Sequence, residues 1–365
     1  MREAQVESVE AEDTASGVIE QPFDPRKIDI TTKQMILEVF FRRLRENAID
    51  MNTFFQRESD LWDSVKQSRL IESILIKLPL PAFYFDGSDD DNWLVVDGLQ
   101  RLSVFRNYVI EKNFRLHDLE YLTDYNGMGF DDLPRPLQRR IEEHEVTVYI
   151  INPGTPDDVK FNLFRRINTG GLVLTPQEIR NALNQGIPVD FIRDLAATPE
   201  FKRFLISPKR ANDEDFITRF VSFYLHPPSE YIPDLESFMS RCMKELAELS
   251  EQERESMKEK FLQAMETAWH IFADDAFRKR YSPGDRRKPM NKSLFEAWSV
   301  ALASLDRVRA KQLIARKEQV QENFMELLND DPDFERSITS GTGKVAMVNK
   351  RHTEINRIIR QVLGD

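Results

Sequence analysis

The chain has 365 residues, of which 41% are hydrophobic and 31% charged, with a formal net charge of −11 at pH 7. That length favours two domains, or one with a large extension, and the apolar content is enough for sizeable cores. The acidic balance argues against a broad DNA-coating surface, and the single cysteine, Cys242, excludes an intrachain disulfide framework or a multi-cysteine zinc site.

Residues 1–25 carry Glu3, Glu7, Glu10, Glu12, Asp13 and Glu20 against Arg2, with almost no apolar periodicity, which predicts a disordered acidic tail. Residues 31–47 read as an amphipathic helix entered from Thr31 and Thr32, with Met35, Val39 and Leu44 on its apolar face. A second helix is predicted over 61–78, stopped by Pro79 and Pro81. Ala82 to Phe85 and Trp93 to Val96 read as strands separated by a polar turn, and Asp97 opens a helix whose stripe is Leu99, Leu102, Phe105 and Val109. A short helix around Leu137 to Glu142 precedes an alternating strand from Val146 to Ile151. Thr155-Pro156-Asp157-Asp158 and Thr175-Pro176-Gln177-Glu178 both have the grammar of helix starts. Beyond about residue 186 strand signals fade, and periodic runs near 236–250, 253–278, 292–313 and 315–328 predict a helical half. The fold class is α+β: a domain with a small mixed sheet over 26–185, then an all-α domain over 186–365.

The most informative stretch is Leu94 to Leu102. A buried strand that turns on Gly98 into a helix makes an anion site, because free backbone N–H groups and the helix dipole both point at the ligand. Gln100 and Arg101 add side-chain donors in that first turn, and a guanidinium fork binds two phosphate oxygens at once. Asp97 followed by Gln100 also fits a capping box that merely closes the helix end. Two further junctions carry candidate residues. Phe55-Gln56-Arg57 precedes the second helix, and Asn168-Thr169-Gly170-Gly171 leads to Glu178. Glu178 reads first as the capping partner of Thr175 and only second as a metal ligand. The five histidines show no metal spacing, so no metal site is assigned, and Ser340-Gly341-Thr342-Gly343-Lys344 lacks the preceding strand of a phosphate loop and reads as a turn.

The motifs occur in a fixed order: Phe55-Gln56-Arg57 with Trp62, Leu70 to Leu75, Leu78-Pro79-Leu80-Pro81, Val96-Asp97-Gly98-Leu99-Gln100-Arg101-Leu102, then Arg166 to Gly171 with Leu174 to Asn181. This set resembles the N-terminal domain of the GmrSD-type modification-dependent restriction endonucleases, whose hallmark is Asp-Gly-Gln-Gln-Arg. That domain is similar to the ParB/sulfiredoxin fold, in which the corresponding turn binds nucleotide phosphates. The resemblance implies a nucleoside triphosphate as ligand, with or without Mg2+. Asp97 and Arg101 would be catalytic. Gly98 and Gln100 would bind the nucleotide, with Asn168, Thr169 and Glu178 on its other side and Gln56 and Arg57 closing it. Leu99 departs from the hallmark and removes one polar group beside the phosphates.

Larger members of the family carry a C-terminal nuclease with a histidine-containing metal site, a motif not seen after residue 186. The expectation is a nucleotide-hydrolysing sensor subunit of a phage-defence or modified-DNA restriction system, without its own nuclease, working with DNA and a separate nuclease or other defence protein. The alternative is a non-hydrolysing nucleotide- or DNA-binding adaptor that recruits a partner nuclease. The single cysteine, the acidic start and the lack of a long apolar run predict a cytoplasmic protein with no membrane partner.

Overall fold

The computed structural model describes residues 9–10, 12, 25–51, 62–167, 174–205 and 211–364. It has an α+β fold in two units: Phe23–Leu174 is built around a mixed sheet, and Thr175–Asp365, joined by Met1–Pro22, is helical.

The sheet contains β1 (Ile30–Ile36), β2 (Ile49–Asp50), β3 (Phe83–Asp86), β4 (Trp93–Asp97) and β5 (Glu145–Ile151), in the order β1-β5-β3-β4-β2. The β1–β5 and β3–β4 pairs are antiparallel, and β3–β5 and β2–β4 are parallel. The helix predicted over 31–47 is corrected at its first half. Residues Ile30–Ile36 pair along the whole of β5, and α1 (Leu37–Arg45) begins only afterwards. The cause is local and tertiary together. Ile30, Thr31, Thr32 and Ile36 are β-branched, and β5 offers an open row of backbone donors and acceptors that needs a partner.

Alternation along the strands turns Phe83, Phe85, Val95, Val146, Val148 and Ile150 to one buried face. There they join α1, α2 (Ser64–Leu75) and α3 (Leu99–Phe105) in one core, in which Phe40 lies 5.4 Å from Phe83 and 5.6 Å from Phe85 between ring centres. The described residues of the unit also form α4 (Arg135–Glu142) and α5 (Asp157–Ile167), and α5 packs on β4. Lys160 of α5 reaches Asp86 at 2.9 Å, both side chains nearly buried. The irregular stretch after α3 is held by α2. The Glu72 carboxylate accepts the backbone N–H groups of Glu120 (3.0 Å), Tyr121 (2.7 Å) and Leu122 (2.8 Å), and Ser68 Oγ accepts that of His117.

The helical unit runs through α6 (Pro176–Leu183), α7 (Ile187–Ala197), α8 (Pro199–Lys202), α9 (Asn212–Leu225), α10 (Leu235–Glu248) and α11 (Glu251–Phe272). It ends with α12 (Lys292–Ala303), α13 (Arg307–Ala315), α14 (Lys317–Asp330), α15 (Pro332–Ser337) and α16 (Val345–Leu363). The helical prediction for this half holds. α12 is buried nearly all round, as a central helix must be, and packs against α9, α11 and α16. Cys242 sits in a small apolar cluster with Phe223, Phe238, Met239 and Val348, and burial pushes its thiol up to about 12. Polar contacts are also deeply placed. Glu296 of α12 accepts Arg351 Nε at 2.9 Å and lies 3.0 Å from His352 Nε2, all three residues almost inaccessible. The acidic start expected to be a disordered tail is corrected at two positions: Glu10 and Glu12 dock on this unit through ion pairs to Lys279 and Arg219.

Glu72 makes a stability prediction with a definite sign. Burial raises its pKa, but the three N–H donors outweigh this and the group lies below its ordinary value of 4.5. A lowered carboxylate stabilises the fold above its unfolded pKa and loses that contribution as pH falls through the folded value. Glu72→Gln should cost about 2–4 kcal/mol at pH 7, because buried amides lose a charged acceptor. In urea melts, the gap between wild type and variant should narrow on acidification below the ordinary carboxylate range. A gap independent of pH would refute the assignment.

Candidate functional site

β4 runs out at Asp97, and the chain turns on Gly98 before α3 begins at Leu99. Gly98 has φ +104°, a left-handed conformation that L side chains rarely adopt. A Cβ added there would also fall 2.4 Å from Cδ1 and 2.9 Å from Cε1 of Phe83. The turn therefore requires glycine twice over. As in any α-helix, the first N–H groups of α3 have no intrahelical acceptor, and they sit at the positive end of the helix dipole.

The capping box that Asp97 and Gln100 could have formed is absent from this turn. Gly98 is the capping residue, with no side-chain hydrogen bond to the helix start. Asp97 instead pairs with Arg101, its Oδ2 accepting from Nη2 at 2.9 Å. Gln100 Oε1 accepts the backbone N–H of Trp62 at 3.1 Å and so ties the entrance of α2 to the start of α3.

Arg101 is 7% exposed, and its fork is directed into the unit rather than outward. Nη2 also donates to the carbonyl of Ala82 at 3.0 Å, Nη1 donates to the carbonyl of Pro81, and the guanidinium lies 4.2 Å from the Phe83 ring centre. The residue expected to hold two phosphate oxygens thus pins the lead-in to β3 against the end of β4. Asp97 is different in character. Its side chain is 26% exposed, and burial raises its pKa against the opposing effects of Arg101 and the Gly98 N–H. A partly exposed carboxylate with a raised pKa is chemically suited to accepting a proton.

Two tyrosines beside this turn were not singled out from sequence. Tyr84 is the registry partner of Asp97, and its ring stacks on Tyr149 with centres 4.8 Å apart and planes 17° apart. Burial, then Tyr149, then Asp97 raise the Tyr84 phenol. The signal was available. In Phe83-Tyr84-Phe85 and Val148-Tyr149-Ile150, a period of two puts both tyrosines on the face away from the core.

Asp97, Gly98, Gln100 and Arg101 thus meet at one turn, whereas Gln56, Arg57, Asn168 and Thr169 lie outside the described residues. Glu178 belongs to the helical unit, where it is a helix cap: its N–H donates to Thr175 Oγ1 at 3.3 Å, and its Oε2 accepts the Thr175 N–H at 2.7 Å. Ser340 to Lys344 is a turn leading into α16, its Gly343 carbonyl accepting the Tyr231 hydroxyl at 2.6 Å. Among the described residues no group of three or more His, Cys, Asp or Glu stands in metal-holding geometry, and no helix is long and apolar enough to cross a membrane.

A glycine turn joining a mixed sheet to a helix, with an acid on one side and a buried arginine beneath, is the centre of this α+β domain. Residues 38–185 match the family model of the GmrSD restriction endonuclease N-terminal domain. The matched segment includes β2 to β5, the turn at Gly98 and α6. Among curated proteins, none matches the chain.

The geometry changes what substitutions here should do. Arg101→Ala removes bonds to two carbonyls and leaves Asp97 without its cation, so it should destabilise the chain by about 2–4 kcal/mol. Arg101→Lys should recover part of that, since an ammonium cannot span both carbonyls and the carboxylate in one plane. Gly98→Ala should cost about 2 kcal/mol or more from backbone strain and the Phe83 collision. Chemical denaturation of the three variants checks this; stability within about 0.5 kcal/mol of wild type for Arg101→Ala would mean its internal bonds carry no weight.

Proposed function

We propose that this chain is a nucleoside triphosphate-binding and -hydrolysing sensor of a restriction or phage-defence system, with DNA cutting carried out by a separate protein. The observation that carries the reading is the Gly98 turn inside the family-matched segment, which opens a helix start beside an acid of raised pKa. The α3 N–H groups would hold phosphate oxygens and take up charge on the transferred phosphoryl group. Asp97 would accept the proton of the attacking water. A magnesium ion accompanying the triphosphate would be held by the phosphate oxygens and water. Gln100 couples this turn to α2, so occupancy of the turn has a mechanical route to the segment around Trp62.

One observation favours the adaptor reading over hydrolysis. The Arg101 fork is already bonded to Pro81, Ala82 and Asp97. In that reading the turn binds nucleotide as a switch and recruits a nuclease without turnover.

Calorimetric titration with each of the four common ribonucleoside triphosphates, with and without Mg2+, together with phosphate release, separates the two. For the enzyme, Asp97→Asn should keep affinity within about tenfold and lower turnover by about 100-fold or more, the range expected for loss of a general base. Turnover should fall as pH drops through the raised pKa of Asp97, because the base must be ionised. Tight binding with no phosphate release would establish the adaptor, and no binding at all would end both readings.

A further inference from the structure

The helical unit contains a second cationic site, unrelated to the Gly98 turn, and the chain fills it with its own N-terminal residues. Arg219 of α9 is almost inaccessible and grips the Glu12 carboxylate with both terminal nitrogens, Nη1 to Oε1 at 3.1 Å and Nη2 to Oε2 at 2.5 Å. Two buried hydroxyls complete the cradle: Thr342 Oγ1 donates to Oε1 at 2.7 Å, and Ser293 Oγ donates to it at 3.1 Å. Beside it, Glu10 pairs with Lys279 at 2.5 Å and accepts Asn291 Nδ2 at 3.0 Å. The backbone of this segment is held by the Glu10 N–H donating to the Met290 carbonyl at 2.9 Å.

Charge shows that these two glutamates fill a vacancy. The helical unit supplies a network of four cations, Arg180, Arg219, Lys292 and Arg351, to three carboxylates, Asp215, Glu236 and Glu296, and beside it Lys279, whose ion pair is with Glu10. Glu12 brings the network its fourth carboxylate and Glu10 neutralises Lys279, both from a part of the chain more than two hundred residues away. A bidentate arginine and two hydroxyls converging from separate elements, with a lysine on the neighbouring Glu10, form a donor set suited to a phosphate group. Next to Glu12 and Arg219 opens a cavity of about 330 Å³, bordered also by Glu10, Lys292, Asp215 and Glu236, the last two already paired with Lys292 and Arg180, so that withdrawal of Glu10 and Glu12 leaves room there for another anion.

We propose that this pocket is a binding site for a phosphate dianion, free or as a monoester, which Glu10 and Glu12 occupy in the ligand's absence. Ligand and segment compete for Arg219, Ser293 and Thr342, so binding releases the N-terminal residues from the helical unit.

The full-length chain is melted as wild type and as Glu10→Gln/Glu12→Gln, titrated with inorganic phosphate at an ionic strength held constant with sodium chloride. The double variant should melt about 5 °C or more below wild type, and millimolar phosphate should restore most of that loss along a saturating curve. Adding Ser293→Ala and Thr342→Val to the double variant should weaken the apparent phosphate affinity by about tenfold or more. In wild type, phosphate should speed proteolysis within the first twenty residues. Should the double variant fail to fold, Glu10→Gln alone is titrated calorimetrically and should bind phosphate more tightly than wild type. A melting loss that phosphate repairs no better than sodium chloride overturns the proposal, as does a double variant that melts with wild type or a Glu10→Gln chain that binds no tighter.

Discussion

A charge taken out of water has to meet its opposite or a set of hydrogen-bond partners, and this rule decides where much of the chain goes. Arg101 draws the Pro81–Ala82 backbone against the end of β4 because its buried fork needs acceptors. Lys160 fixes α5 to β3 through Asp86. Glu72 does the same in reverse, ordering a loop by presenting a carboxylate to three amides. In the helical unit Glu296 sits between Arg351 and Arg219 and thereby joins α12 to α16 and α9. Such clusters add little net stability over well-packed apolar groups, but removing one member is expensive, so they specify one arrangement of elements over others.

What the sequence made legible follows from range. The alternation in β3, β4 and β5 and the 3.6-residue period of α10 and α14 are local, and these elements were read correctly. The grammar of Thr175-Pro176-Gln177-Glu178 is local too, and its capping box forms as expected. β1 was misread because its strand character depends on β5, more than a hundred residues away in the chain. The periodic run near 292–313 is divided into α12 and α13, where Asp306 accepts the N–H groups of Val308 and Arg309 and starts the second helix. At the site, the residues of the turn were legible as a motif but the aim of Arg101 was not. Its partners are the backbone carbonyls of Pro81 and Ala82, which have no signature in side-chain identity. Glu10 and Glu12 escaped notice for a related reason: composition describes a segment's average, whereas their placement depends on a few distant cations.

The two cationic sites differ in what they ask of a ligand. At the Gly98 turn the side-chain cation is already satisfied, so any anion there would rely on backbone amides and a helix dipole. At Arg219 the side chains themselves form the cradle, and the chain supplies a carboxylate to fill it. On the readings proposed above, anions would meet the chain in two separate structural units, at one beside a carboxylate of raised pKa and at the other beside Glu10 and Glu12.

Cys242 is the sole thiol in the chain and is packed among Phe223, Phe238 and Met239, with its ionisation suppressed by burial. Only the thiolate reacts readily with alkylating reagents. In the folded chain it is therefore both shielded and uncharged, and labelling at this one atom requires α10 to part from its neighbours. The rate of thiol modification becomes a built-in clock for the opening of the helical unit, read without any introduced probe.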